Sequence, residues 1–238
     1  MAFQTVFKRY ELKYLITADQ KNEILKAMDG FMALDKYGKT TIRNLYFDTD
    51  SYLLIRRSIE KPVYKEKLRV RSYQKATEES TVFVELKKKY KSEVFKRRVS
   101  MPYLDAMTSL LQNGELKENT QISKEIDYFI KYYENLHPTV FLSYEREAYY
   151  SKDKSDFRVT FDSNVLVRLN DLSLMSEAYG TPILPDGKVL MEIKCSGGIP
   201  IWMCDALSRG NIYKTSFSKY GTAYQNLILP KILNGGNL

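Results

Sequence analysis

The sequence predicts an α+β fold whose main element is an antiparallel sheet, and three observations support this prediction. The 238 residues contain eight or nine strand-like segments and about six helical ones. The strands do not alternate regularly with the helices, which argues against a parallel, doubly wound sheet. Charged and apolar residues alternate within five of the strands, so each of these presents one charged and one apolar face. We therefore expect a sheet that curls or closes, with the helices packed outside it.

The first strand is predicted at residues 6–16. A helix follows it to about Met28, because Thr17-Ala18-Asp19-Gln20 has the residues of a capping box. Further strands are predicted from alternating apolar residues at 41–48, 63–74, 80–89, 93–100, 139–150, 156–162, 164–169 and 188–195. Further helices are predicted from apolar residues at helical spacing or from helix-start residues at 51–59, 103–111, 122–133, 200–207 and 218–229. The apolar stripe of the helix at 103–111 consists of Tyr103, Leu104, Met107, Leu110 and Leu111.

No internal repeat, low-complexity tract or long linker interrupts these segments. We therefore predict one domain over residues 1–238 with a core at about 6–229. The start of the chain lacks the features of a signal peptide, and no apolar run reaches the roughly 18–20 residues that a membrane span needs. We expect a cytoplasmic protein with no membrane span of its own.

Composition limits the chemistry that this chain can perform. Two cysteines, Cys195 and Cys204, and one histidine, His137, are too few for a disulfide scaffold, a four-ligand zinc site or a multi-histidine metal site. The formal net charge of +8 indicates either a solubilising surface or an anionic partner, which could be nucleic acid, lipid or phosphate.

The position of the charges along the strands is more informative than their number. Lys65, Lys67, Arg69 and Arg71 share one face of their strand. Glutamate stands two residues before lysine on three strands, in the pairs Glu11/Lys13, Glu85/Lys87 and Glu192/Lys194. For any single strand, a polar face in water is the simpler interpretation. If several such strands converge, their carboxylates can hold a hard divalent cation, and their lysines and arginines can grip phosphate oxygens.

The ordered short motifs of this chain resemble those of one family. They are Arg9-Tyr10-Glu11-Leu12-Lys13-Tyr14, Leu45-Tyr46-Phe47-Asp48-Thr49, Lys67-Leu68-Arg69-Val70-Arg71, Val84-Glu85-Leu86-Lys87, Lys96-Arg97-Arg98, Arg158-Val159-Thr160-Phe161-Asp162, Glu192-Ile193-Lys194 and Phe217-Ser218-Lys219-Tyr220. Over residues 6–229 the chain resembles the polyphosphate polymerase domain of the vacuolar transporter chaperone family, in the triphosphate tunnel metalloenzyme superfamily. The resemblance implies a closed barrel of eight mainly antiparallel strands, with nucleoside triphosphate and polyphosphate as ligands and Mn²⁺ or Mg²⁺ as cofactor.

The resemblance also implies which residues form the site. The residues matching phosphate-binding positions are Lys13, Arg69, Arg71, Lys87, Lys96, Arg98, Arg146, Arg158, Lys194 and Lys219. Glu192 would hold the metal, and Glu11 and Glu85 are weaker candidates for the metal or for orienting water. Lys96 and Arg98 share a parity, whereas Arg97 would point away. Arg146 shares its strand face with apolar residues, so its assignment rests on the resemblance alone.

One departure from the superfamily concerns Arg9. In the related branch of thiamine triphosphatases and adenylate cyclases, a glutamate stands at this position, and the cation here favours a long phosphate chain as ligand. Coupling to a membrane would need a separate protein partner.

Two alternatives remain open at this point, and a third is not expected. Hydrolysis of tripolyphosphate or nucleoside triphosphates uses the same residues as a polymerase. A non-catalytic polyphosphate-binding module would keep the cations without the reaction. A nucleic-acid module would interleave exposed aromatics with cations, but here cations and apolar residues occupy opposite strand faces, so we do not expect nucleic acid as a partner.

Overall fold

The computed structural model describes residues 10–91, 93–112, 115–116, 119–153 and 155–235. Its strands are β1 (Tyr10–Thr17), β2 (Met32–Asp48), β3 (Tyr64–Ser72), β4 (Thr81–Tyr90), β5 (Glu93–Pro102), β6 (His137–Ser151), β7 (Arg158–Arg168), β8 (Thr181–Pro182) and β9 (Lys188–Cys195). Its helices are α1 (Ala18–Met28), α2 (Leu53–Ile59), α3 (Tyr103–Leu111), α4 (Gln121–Tyr132), α5 (Ile201–Arg209), α6 (Lys219–Ala223) and α7 (Leu229–Leu233), with a π-helical turn (Tyr224–Ile228) that joins α6 to α7.

The described residues form an α+β fold with nine strands in one sheet and six helices, if α6, the π turn and α7 count as one. The strand order is β1-β9-β7-β6-β2-β3-β4-β5, and β8 lies beside β7. Over the described ranges, no pairing joins β1 to β5, so the sheet is open and the expected closed barrel of eight strands is not observed. Within the same ranges, no helix has the length and apolar character that crossing a membrane requires.

One compact unit comprises Met1–Thr40, Tyr144–Val165 and Leu184–Phe217. The capping box at the start of α1 is confirmed: the Thr17 hydroxyl accepts from the Gln20 N–H at 3.1 Å, and the Gln20 side chain accepts from the Thr17 N–H at 2.9 Å. The apolar sheet face of this unit packs against α1 and α5. Its buried core consists of Tyr14, Ile16, Ile24, Met28, Met32, Phe157, Val159, Phe161, Met191, Ile193, Cys195, Met203, Ala206, Leu207 and Ile212. The opposite sheet face is therefore left for charged residues.

The second compact unit comprises Thr41–Ser143, Leu166–Ile183 and Ser218–Leu238. Its core lies between α3, α4 and the apolar face of β3, β4 and β5, and it includes Leu68, Val70, Val82, Val84, Leu86, Val99, Ala106, Leu110, Ile126, Phe129 and Ile130. Each fully buried aliphatic side chain of this kind contributes about 1.5–3 kcal/mol to the stability of the fold.

The apolar stripe expected on α3 is partly wrong, because Leu104 and Leu111 are exposed and Ala106 takes the central buried position. The single domain over residues 1–238 stays a prediction.

Two strands differ from their predicted bounds. β2 begins at Met32 rather than at residue 41. The sequence pattern missed its first half because that half alternates between exposed and half-buried positions and lacks a continuous apolar face. The strands predicted at 156–162 and 164–169 are one strand, β7. Asn164 adopts a left-handed conformation with φ 48° inside that strand. The first half of β7 pairs with β9 and its end pairs with β8, a short strand that the sequence did not indicate.

The last helix extends to Leu233, beyond the predicted end near Leu229. Pro230 has no backbone N–H to donate to a helical carbonyl. The π turn from Tyr224 to Ile228 comes immediately before α7, the helical segment that contains Pro230. The predicted start is confirmed, since the Ser218 hydroxyl accepts from the Gly221 N–H at 3.2 Å.

Candidate functional site

The charged face of the first unit is built by β1, β9 and β7. Lys13 lies opposite Glu192, and Glu11 lies opposite Lys194. On the other side of β9, Thr160 of β7 lies opposite Glu192. Directly opposite residues of an antiparallel pair share a face, so two of the three predicted glutamate–lysine pairs, Glu11/Lys13 and Glu192/Lys194, converge on one surface.

Glu192 is the centre of this surface. Its carboxylate lies 3.4 Å from the Lys194 ammonium, 3.5 Å from the Arg146 guanidinium and 3.7 Å from the Lys13 ammonium. The Lys13 ammonium also lies 3.5 Å from Glu11. Only 7% of the Glu192 side chain is exposed, so these charges interact with little screening by water.

Arg146 is held on this face by Asp162, a residue to which sequence reasoning gave no role. The Arg146 Nε donates to Asp162 Oδ1 at 2.5 Å and its Nη2 donates to Oδ2 at 2.6 Å. Asp162 is fully buried. Burial alone would lower the pKa of Arg146, but the charge of Asp162 outweighs it and holds this pKa well above its usual value. The bidentate pair therefore fixes a permanently charged guanidinium beside Glu192.

The charged face of the second unit is built by β3, β4 and β5. Glu85 of β4 lies opposite Arg69 on one side and Arg98 on the other. In the same way, Lys87 lies between Lys67 and Lys96. Like charges directly opposite each other destabilise a sheet, so an anion placed along this row of lysines would offset their mutual repulsion.

Glu85 gathers four cations around one buried carboxylate, whose side chain is 1% exposed. Its Oε2 accepts from Arg69 Nε at 2.9 Å and Nη2 at 2.7 Å, and its Oε1 lies 2.7 Å from the Lys96 ammonium. Its Oε1 also accepts from Arg98 Nε at 2.7 Å, and Arg71 Nη1 lies 3.9 Å from Oε2. Burial raises the pKa of Glu85, but the charges of Arg69, Arg71 and Lys96 outweigh burial and keep this pKa below its usual value. These contacts favour a counter-ion role for Glu85 over the metal-ligand role considered from the sequence.

β2 supplies side chains that orient two of these arginines. Asn44 Oδ1 accepts from Arg71 Nε at 2.9 Å, and Asn44 Nδ2 donates to the Leu142 carbonyl at 3.0 Å. The Tyr46 hydroxyl accepts from Arg69 Nη1 at 2.9 Å. The sequence motif around Tyr46 does not predict a role for this hydroxyl, because the contact depends on the register of β2 against β3.

Lys96 provides a pH-dependent test of the cation cluster. Burial lowers the pKa of Lys96 to about 8; the attraction of Glu85 opposes this shift, and the charges of Arg71 and Arg98 add to it. Below pH 8 the ammonium is already charged, whereas above pH 8 anion binding must draw a proton from solution. We expect the affinity for tripolyphosphate, measured by titration calorimetry in EDTA, to fall by up to about tenfold per pH unit above pH 8. Lys96→Arg stays charged and should show a smaller fall. Equal falls in the two proteins would contradict this role.

The structure places the sequence-predicted residues in two groups. In the first unit, Glu11, Lys13, Arg146, Glu192 and Lys194 contact one another through the ion pairs described above. Arg158 belongs to the same face, since it lies opposite Lys194.

In the second unit, the expected residues on the charged face are Arg69, Arg71, Glu85, Lys87, Lys96 and Arg98. Both Lys96 and Arg98 contact Glu85, and Arg97 points away to Glu125, as expected. Lys219 is the first residue of α6 and follows Ser218, whose hydroxyl accepts from Lys67 Nζ at 3.1 Å. Arg9 lies outside the described residues.

Carboxylates that could hold a divalent cation are few. Within the described ranges, no group of three or more histidine, cysteine or acidic residues is arranged to hold a metal ion. Glu11 and Glu192 contact the same ammonium group, so two carboxylates do approach one point. Mg²⁺ is commonly held by one or two carboxylates together with substrate phosphates and water, and this donor set fits such a site.

Comparison with known proteins gives a family and a shared fold. The family model described as VTC domain matches residues 8–228. No curated protein matches. A solved structure from Bacillus halodurans, provisionally assigned as an adenylate cyclase, is 16% identical with a TM-score of 0.54 over 92% of this chain and 96% of that one. A second, from Vibrio parahaemolyticus and with the same provisional assignment, is 13% identical with a TM-score of 0.51 over 92% and 98%.

Proposed function

Because this chain belongs to the VTC domain family, we propose that it is a metal-dependent polyphosphate polymerase. It would transfer the terminal phosphoryl group of a nucleoside triphosphate to a polyphosphate chain inside a basic tunnel. The observation that supports this proposal most directly is the cluster around Glu85, in which four cations surround one buried carboxylate. A polyanion is a ligand that complements such an excess of positive charge.

The two charged faces differ in a way that suits two tasks. The second unit sets Arg69, Arg71, Lys96 and Arg98 against the single carboxylate of Glu85. An excess of guanidinium groups is suited to phosphate oxygens, which arginine binds in a bidentate manner.

The charged face of the first unit is closer to electrical balance. Its cations are Lys13, Arg146, Arg158 and Lys194, and its carboxylates are Glu11, Asp162 and Glu192. The carboxylates of this face offset the neighbouring lysines and arginines. They can therefore bind a divalent cation while those positively charged side chains stay in place.

In this proposal Glu192 would hold Mn²⁺ or Mg²⁺, with Glu11 as the second candidate ligand. A divalent cation held there would supply positive charge that neutralises the phosphate oxygens of the ligand. Lys13 and Lys194 would bind the phosphate oxygens that lie beside the carboxylates. Asp162 would keep Arg146 in place as the ligand enters.

Transfer between phosphate oxygens needs positioning and charge neutralisation more than a covalent intermediate on the protein. The Cys195 thiol is not placed to form such an intermediate, because it is buried on the apolar face of its sheet, away from the charged residues. In the proposed reaction, Arg69, Arg71, Lys96 and Arg98 hold the phosphate chain and stabilise the charge that develops during transfer.

The deciding experiment is incubation of the purified protein with ATP and Mn²⁺, followed by ³¹P NMR of the products. Internal-chain phosphate signals are expected from a polymerase. Orthophosphate alone would replace this proposal with a triphosphate hydrolase. Pyrophosphate with a cyclic nucleotide would instead match the provisional assignment of the two similar structures. Tight binding of polyphosphate without any product would indicate a non-catalytic binding module.

A further inference from the structure

Two stacked tyrosines connect β2 to α6 within the second unit. The rings of Tyr46 and Tyr220 have centroids 4.7 Å apart with 26° between their planes, and both side chains are buried. Tyr220 directly follows Lys219 in the chain. Neither tyrosine has a role in the proposed reaction, although both belong to motifs that stand out in the sequence.

Tyr220 is fixed at its hydroxyl end. That hydroxyl donates to Asp48 Oδ2 at 2.9 Å and lies 3.0 Å from Thr139 Oγ1. Asp48 is fully buried and accepts from the backbone N–H groups of Leu54 at 2.8 Å and Ile55 at 3.0 Å, at the start of α2. Because every partner belongs to a buried or helical segment, the Tyr220 ring is a rigid platform for the Tyr46 ring.

Tyr46 in turn contacts Arg69 at one particular nitrogen. Arg69 directs its Nε and Nη2 to Glu85, and this edge is the one that binds a carboxylate or phosphate with two parallel hydrogen bonds. The remaining nitrogen, Nη1, donates to the Tyr46 hydroxyl at 2.9 Å. When a phosphate group displaces Glu85 from the Nε and Nη2 edge, the bond to Tyr46 can persist.

We propose that Tyr46 is a positioning residue for Arg69, which keeps the two-nitrogen edge of the guanidinium directed at the bound phosphate. The stack on Tyr220 and the Tyr220–Asp48 hydrogen bond keep the Tyr46 hydroxyl at a fixed point. This inference rests on the proposed function only in taking the ligand to be a phosphate chain.

The test is a double-mutant cycle on the binding of tripolyphosphate, measured by titration calorimetry in EDTA. Tyr46→Phe keeps the stacked ring and removes the hydroxyl, so we expect affinity to fall between about threefold and tenfold, the usual range for one hydrogen bond. In an Arg69→Gln background the same change should alter affinity by less than about twofold, because the positioned group is absent. Tyr52→Phe is the control, because Tyr52 is a buried tyrosine of the same unit that packs against Tyr224. The affinity of this variant for tripolyphosphate should equal that of the wild type.

The possible results separate the two proposals. Additive losses from Tyr46→Phe and Arg69→Gln, or no loss from Tyr46→Phe, would overturn the positioning role while leaving the proposed function intact. A wild-type protein that binds tripolyphosphate neither in EDTA nor with Mn²⁺ would overturn both. Thermal unfolding of each variant, measured alongside, shows whether a lost affinity reflects lost folded protein.

Discussion

Replacing Glu192 with glutamine is expected to lower Mn²⁺-dependent turnover of ATP by about 100-fold or more. The amide keeps the size of the side chain but lacks the negative charge that a divalent cation requires. The buried carboxylate also orients Lys13, Arg146 and Lys194, so their placement depends on the same charge. Turnover is measured by ³¹P NMR at a temperature where thermal unfolding shows the variant to be folded.

A matched control for this variant is Glu147→Gln. Glu147 belongs to β6 in the same unit and forms an ion pair with Lys21 of α1 at 2.8 Å, separate from the Glu192 cluster. We expect its turnover to stay within about twofold of the wild type, since changes to such partly exposed pairs cost less than about 1 kcal/mol. A Glu192→Gln protein that retains most of the Mn²⁺-dependent activity would contradict the assignment of this residue as metal ligand.

Replacing Glu85 with glutamine should destabilise the protein strongly. The change leaves Arg69, Arg71, Lys96 and Arg98 facing one another without their shared counter-ion. Removing one partner of a buried ion pair costs about 3–5 kcal/mol, which corresponds to a decrease in Tm of roughly 6–20 °C for a chain of this size. Differential scanning calorimetry at pH 7 measures the decrease.

The pH dependence of this effect has a definite sign. The pKa of Glu85 in the folded protein lies below its usual value. Its stabilising contribution is therefore fully present above about pH 5 and declines as the pH falls below the usual range for glutamate. The difference in Tm between the wild type and Glu85→Gln should shrink accordingly under acidic conditions.

Glu125→Gln is the control for Glu85→Gln. Glu125 forms an ion pair at 2.9 Å with Arg97, which lies on the face of β5 opposite to Lys96 and Arg98. This partly exposed pair should contribute less than about 1 kcal/mol to the free energy of unfolding. Tripolyphosphate should raise the Tm of Glu85→Gln more than that of the wild type, because the anion replaces the missing charge. Equal decreases in Tm for Glu85→Gln and Glu125→Gln, or no additional gain with tripolyphosphate, would contradict the counter-ion role.

Much of the fold and of the candidate site follows from local patterns. The capping box at Thr17 and the apolar helix face that includes Ile126 and Phe129 depend on spacing along the chain, and the structure confirms both. The alternation of side chains along a strand is equally local, so it correctly separated Glu85 and Lys87 from Val84 and Leu86. Where the local pattern was weak, as in the polar first half of β2, prediction failed.

The residues alone predict which side chains share a strand face, because this depends only on the period of two along an extended chain. They also identify the family through motifs such as Glu192-Ile193-Lys194. Contacts between strands came from the folded chain: Glu85 lies between Arg69 and Arg98, Asp162 holds Arg146, and the Tyr46 hydroxyl contacts Arg69. These contacts depend on register, because the alignment of two strands is set by long-range packing and turn geometry that no single segment contains.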